Sequence, residues 1–291
     1  MSSQVDAALQ ELMAAIVPTR RVNYVNLAGL TIMVMDWLVT LELEIRLVWT
    51  SKWNFMKTLY LVTRYLPFAV ISILLYYQLG YALSETACKT TYELGSWSYI
   101  VSAGFSESIL TIRTWAAWGQ GNRLGCALLG AFGLVWSSII IIVAFYLKAT
   151  GHMVSPVPRL IGCQLDSAGL YLVACFVLLV LYDLGMFLLI TIRGLFAVQS
   201  GGHSQLVTIA FRDGIIYYIY LFGLSVLNVI VISALPREYV TLLLVFAGVV
   251  HSVVACRVVL HIREQMHMQD RIFSQHDSQL GEVFQETRGT I

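Results

Sequence analysis

Long apolar runs separated by short polar stretches set the pattern of this chain. A helix needs roughly 20 mostly apolar residues to cross the hydrocarbon core of a bilayer. Seven stretches meet that criterion: 22–43, 58–79, 97–118, 124–147, 168–192, 214–235 and 240–260. The pattern predicts an all-α fold, a seven-transmembrane helix bundle over 22–260, with a short outer segment at 1–21 and a tail at 261–291. Most runs are as apolar as "LLGAFGLVWSSIIIIVAFYL", whereas charges interrupt the first and third. In the N-terminal segment Val5, Leu9, Leu12, Met13 and Ile16 recur at helical spacing before Pro18. That spacing fits a short interfacial helix or a frayed end. The tail, with "QHDSQLGEVFQETRGT", is polar enough to be disordered after one or two amphipathic turns.

Composition turns this pattern into a statement about solvent. Hydrophobic residues make up 58% of the chain and charged residues 12%, with a mean hydropathy of +0.75. That leaves too little polar surface to cover a water-soluble sphere of this size, so lipid is the expected partner of most of the surface. A net charge of +1 with no basic stripe argues against nucleic-acid binding. No positively charged start followed by an apolar run marks a cleaved signal peptide. With the N-terminus outside and the C-terminus in the cytoplasm, Lys and Arg concentrate in the inner segments, as the positive-inside rule asks. A multi-pass protein, expected in the plasma membrane, is the consistent reading.

A charge in the hydrocarbon core is costly, so it should face the bundle and meet a partner. On the first span Asn26, Gly29, Met33, Asp36, Thr40 and Glu44 follow three-four spacing and define a small, polar, buried stripe. Glu42 and Arg46 fall off that stripe and suit an interfacial pair. Asp36 and Arg64 reach similar depth on adjacent helices and form the natural first ion pair. Glu107, Arg113, Asp183 and Arg257 complete, with Asp36, Glu44 and Arg64, a candidate intramembrane polar network. Such a network can act as a conformational switch or as static packing.

Of five cysteines, Cys88 and Cys163 fall in the two outer loops and share the oxidising side, while Cys126, Cys175 and Cys256 lie in spans or at their inner ends. A Cys88–Cys163 disulfide is one reading, and two free loop thiols the other. Gly130 and Gly133 read as close helix-packing positions. Tyr76, Tyr77, Tyr81, Tyr92, Trp97, Tyr99, Tyr171 and Asn228 lie toward the outer side, where they could line a ligand cavity, although an interfacial aromatic belt accounts better for most of them.

Catalytic motifs are missing: there is no His-Glu-x-x-His, Gly-x-Ser-x-Gly or P-loop pattern. His261 and His267, six residues apart, do not share a helical face, which argues against a metal site there. Lys52, Lys57, Lys89 and Lys148 all lie in loops or at span edges, so no lysine is placed for a retinal Schiff base. Pro67 alone interrupts a span, without the paired broken helices common in transporters. No enzyme activity and no cofactor are expected.

The block "YVNLAGLTIMVMDWLVTLELEIRLVW" followed by "KTLYLVTRYLPF" resembles the fungal domain-of-unknown-function family 6533 (DUF6533), multi-span membrane proteins. Asp36, Glu44, Trp49, Arg64, Tyr65 and Pro67 carry the likeness most specifically. "TIRTWAAWGQGNR", "FRDGIIYYIYLFGLSVLNVI" and "CRVVLHIRE" look similar to it more loosely, extending the resemblance over nearly the whole spanning region. It implies a seven-helix, receptor-like protein and carries no activity with it. Rhodopsin-like receptors differ: here Arg113 has no acid before it and no tyrosine after it, and the last span lacks Asn-Pro-x-x-Tyr. The expectation is a receptor-like sensor with an unknown small ligand and a cytosolic signalling partner, set against a small-solute transporter or a structural membrane protein.

Overall fold

The computed structural model describes residues 2–80, 83–154, 163–166, 169–199, 205–236 and 239–289. Its elements are α1 (Ser2–Glu44), a π-helical segment (Ile45–Trp49), α2 (Phe55–Leu79), α3 (Glu85–Ala117) and α4 (Asn122–Ala149), then strands β1 (Gly151–Val154) and β2 (Cys163–Asp166), then α5 (Gly169–Gln199), α6 (Gln205–Ala234) and α7 (Leu244–Gly289). Six segments are long and apolar enough to cross a membrane: Ile16–Trp49, Phe55–Leu79, Asn122–Ala149, Leu170–Phe196, Ile215–Ala234 and Leu244–Met268. Large apolar side chains such as Val39, Leu129, Leu134 and Leu181 are exposed on them, the arrangement of a bundle whose outer surface faces lipid. The protein is therefore a multi-pass, membrane-type helical bundle.

α3 is the long helix that falls short of the apolar criterion, and its surroundings explain why. It packs against α2, α4, α5 and α7, and it buries Ser102, Ser106, Glu107, Thr111 and Thr114 among them. An inner helix of this kind can be polar because its neighbours supply partners. The hydroxyls of Thr111 and Tyr182 meet at 2.5 Å, those of Thr114 and Tyr218 at 2.8 Å.

Several expected boundaries move. Pro18 lies inside α1 and does not end a separate helix, so residues 2–21 are continuous with the first span. The tail expected to be disordered continues α7 to Gly289; it contains no proline and is rich in Gln, Glu, Met and Arg, residues that favour helix whether or not they are buried. The connection between α4 and α5 contains an antiparallel hairpin, pairing Gly151 with Asp166 and Val154 with Cys163. Cys163 on β2 bonds to Cys88 on the first turn of α3, with Cα atoms 5.7 Å apart, so the disulfide reading holds. Gly130 and Gly133 are exposed, and a Cβ at either would meet nothing within 4 Å, so neither mediates close packing.

The buried stripe on α1 is as expected: Asn26, Gly29, Met33, Asp36, Thr40 and Glu44 are all buried. At its end the helix widens into the π-helical segment. A π turn brings residues five apart into register, and here the Trp49 indole Nε1 donates to Glu44 Oε1 at 3.0 Å across that spacing. The chain then turns into α2, capped by Asn54, whose side chain accepts from the Lys57 amide at 2.8 Å. The buried Lys57 ammonium donates to the carbonyls of Trp49 and Ser51, which closes the turn.

Candidate functional site

Three features stack along the inside of the bundle: a cavity near the hairpin, and two clusters of charged side chains below it. The cavity has a volume of about 440 Å³ and is lined from α1 to α5, by Cys163 of the hairpin and by residues around the start of α7. Tyr77, Tyr92, Tyr99, Trp136 and Tyr146 supply much of its wall, and no charged side chain among the described residues lines it. The Tyr92 and Tyr146 hydroxyls bond to each other at 2.5 Å, and Tyr99 donates to the Leu244 carbonyl at 3.1 Å. Tyr77 Oη and Trp136 Nε1 are buried and make no hydrogen bond. An unpaired buried donor costs about 1–3 kcal/mol, and both of these belong to residues of the cavity wall.

Of the aromatic residues expected toward the outer side, Tyr77, Tyr92 and Tyr99 face the cavity, whereas Tyr76, Trp97 and Tyr171 have substantially exposed side chains, as a belt would. Tyr81 lies outside the described residues, and Asn228 is buried on α6, where it donates to the Leu224 carbonyl. Gly248 on α7 holds this wall in place: a Cβ there would lie 2.6 Å from Tyr99 Cε2. Gly248→Ala is expected to push the Tyr99 ring and lower stability by about 1–3 kcal/mol, read as a fall in thermal midpoint in detergent. An unchanged midpoint would show that the ring is free to move.

The first charged cluster joins α1, α2 and α7. Arg64 Nη1 meets Asp36 Oδ2 at 2.5 Å, the same guanidinium bonds Thr40 Oγ1, and Arg64 Nε lies 3.4 Å from Glu44 Oε2. Arg257 Nε reaches the other Asp36 oxygen at 2.5 Å. Tyr65 donates to Glu44 Oε1 at 2.7 Å, beside Trp49 Nε1. Two carboxylates face two guanidinium groups, so the cluster is neutral. Arg257 is its half-exposed member, with 48% of the side chain accessible, while Asp36, Glu44 and Arg64 are buried.

The second cluster joins α3, α5, α6 and α7. Glu107 Oε1 lies 2.9 Å from His251 Nδ1, and Ser225 Oγ donates to Asp183 Oδ2 at 2.5 Å. One ligand atom from each of Glu107, Asp183 and His251 lies within 4.8 Å of the other two, and all three residues are buried. This is the group in the described residues with the donors to hold a metal ion. It lies directly under the cavity: Ala103 and Leu179 in the cavity wall precede Glu107 and Asp183 by four residues each, one helical turn or about 6 Å.

The expected single network is thus two clusters, Asp36, Glu44, Arg64 and Arg257 in the first and Glu107 and Asp183 in the second. Arg46 pairs at 4.0 Å with Glu264 of α7 in place of Glu42. Sequence reasoning missed His251 and Ser225. The available signal was a lone histidine in "VFAGVVHSVVACRVVL", a run in which every other residue before Arg257 is apolar or small.

The profile of a family of unknown function (DUF6533) matches residues 24–69. That stretch runs from α1 into α2 and holds Asp36, Thr40, Glu44, Arg64 and Tyr65, the first cluster except for Arg257. The three later stretches that looked similar lie outside the match. No curated protein matches the chain.

Proposed function

We propose that this protein is a receptor-like sensor that binds a small, neutral, largely apolar molecule in the cavity and passes the event along α7 to a cytosolic signalling partner. The observation that supports this reading is the course of α7. Leu244 lines the cavity, His251 belongs to the second cluster and Arg257 to the first, all on one helix. A guest that repositions the start of α7 changes the geometry of both charged clusters, and such clusters favour discrete arrangements over continuous ones. The lining contributes hydroxyl, amide and indole groups and no charge, which selects against charged solutes.

In this reading the N-terminus and hairpin lie outside, α3 is the seventh span, and the far end of α7 with the inner loops meets the partner. The membrane is the plasma membrane, and the protein acts without catalysis.

The test is native mass spectrometry of the protein in lipid nanodiscs, followed by functional assay of whatever neutral compound is retained. The compound should be lost from Ala103→Phe, which fills the cavity. It should also accelerate nucleotide exchange on a co-reconstituted G protein. Compound-dependent uptake into sealed vesicles, with no effect on exchange, would replace the sensor by a transporter. Retention unchanged by Ala103→Phe would remove the cavity from the account.

A further inference from the structure

We propose that Glu107, Asp183 and His251 form an intrahelical-bundle site for a divalent transition-metal cation, independent of the ligand reading above. The two charged clusters differ in their balance of acidic and basic side chains. The first balances two carboxylates with two guanidinium groups. The second has two carboxylates and a single imidazole, and no lysine or arginine among the described residues forms an ion pair with Glu107 or Asp183. Arg113, the next cation along α3, stands six residues beyond Glu107, and Arg64 and Arg257 are engaged with Asp36. Uncompensated charge inside a membrane bundle is expensive.

A second observation points to the same place. Glu107 Oε1, on a side chain only 2% exposed, lies at ion-pair distance from His251 Nδ1, 2.9 Å, without the alignment of a hydrogen bond. Both atoms bear lone pairs that can converge on one cation when the imidazole is neutral and protonated at its other nitrogen. Metal bonds of about 2.0–2.2 Å place neighbouring donors roughly 3–3.5 Å apart in a tetrahedral site. The Glu107–His251 pair stands at 2.9 Å and the third donor within 4.8 Å, so closing the site needs about an ångström of side-chain movement.

The chemistry of the donors fixes the class of ion. Two carboxylates and a neutral imidazole carry two negative charges, which a divalent cation cancels and a monovalent one does not. An imidazole nitrogen favours zinc, iron, nickel or copper over magnesium, calcium or manganese, which prefer oxygen ligands. Ser225 orients Asp183 from α6 as an outer partner, the arrangement that tunes metal sites. Bound metal would tie α3, α5 and α7 together one turn beneath the cavity.

The probe is cobalt(II), which reports its coordination by visible absorption. The full chain in lipid nanodiscs, stripped with a chelator and exchanged into metal-free buffer, should take up one equivalent with the intense bands of low coordination, displaced by zinc. Glu107→Gln and His251→Ala should abolish this spectrum, and Ser225→Ala should weaken binding roughly tenfold. The double variant His261→Ala, His267→Ala should leave it unchanged. Failure of folded wild-type protein to bind cobalt overturns the proposal irrespective of any variant, as does a spectrum that survives Glu107→Gln or disappears with the His261 and His267 variant. Stabilisation on acidification without metal uptake would also overturn it, assigning the missing charge to a shared proton.

Discussion

Arg64→Met is expected to cost about 3–5 kcal/mol, the usual consequence of removing one partner from a buried ion pair. Arg64 holds Asp36 and Glu44 at once, with Thr40 bonded to the same guanidinium. Its removal leaves two buried carboxylates with one cation, the half-exposed Arg257. The measurable result is loss of the monodisperse peak in mild detergent and a fall in thermal midpoint. Adding Glu44→Gln should recover much of the loss, because the remaining carboxylate, Asp36, would then face Arg257. Exchanging the charges of Asp36 and Arg64 should rescue poorly, since an arginine at 36 would confront Arg257. A double variant no better than the sum of the singles would show that charge balance is not what holds the three helices. Full rescue by the charge exchange would show that Arg257 contributes little.

The second large effect lies at the other end of the bundle. Cys88→Ser, Cys163→Ser or both should lower stability by about 2–4 kcal/mol, below the full chain-entropy value because membrane helices already restrict the unfolded chain. The bond closes a loop between residues 75 apart and ties β2 to the start of α3. Cys163 also lines the cavity, so its release should loosen the wall as well as the fold. Reduction of the wild-type protein should reproduce the double variant's thermal midpoint, and reduction should leave that variant unaffected. If reduction leaves the wild-type midpoint in place, the hairpin is held by its packing alone.

Which of these features could be read from sequence follows from how local their physical signal is. The stripe from Asn26 to Glu44 was legible because a small or polar residue at three-four spacing in an apolar run has one favourable direction to face. The Asp36–Arg64 pair followed from depth on adjacent helices, and Cys88–Cys163 from sidedness. Arg257 was seen as a deep charge, but its partner depended on how α7 crosses α1, a tertiary fact. His251 escaped notice because an uncharged residue type in an apolar run raises no alarm until two carboxylates from other helices come to meet it. Gly130 and Gly133 show the opposite error: small residues at close-packing spacing also occur on faces that no helix covers. The hairpin strands, at four residues each, are too short to establish an alternating pattern. The extension of α7 was misjudged because polarity argues against burial without arguing against helix.

That extension changes the mechanical scale of the protein. From Met268, where the membrane-compatible segment ends, to Gly289 the helix advances a further 21 residues, or about 32 Å. Arg263 anchors its near part by donating to the Leu47 carbonyl and Ser51 Oγ in the turn after α1. Beyond that fulcrum the helix is a lever arm: from Arg263 to Gly289 it runs about 39 Å, and a tilt of roughly 10° at its base would carry the far end about 7 Å sideways. A displacement of an ångström or so among Asp36, Arg257 and their neighbours would therefore reach Gly289 as a movement the size of a side chain.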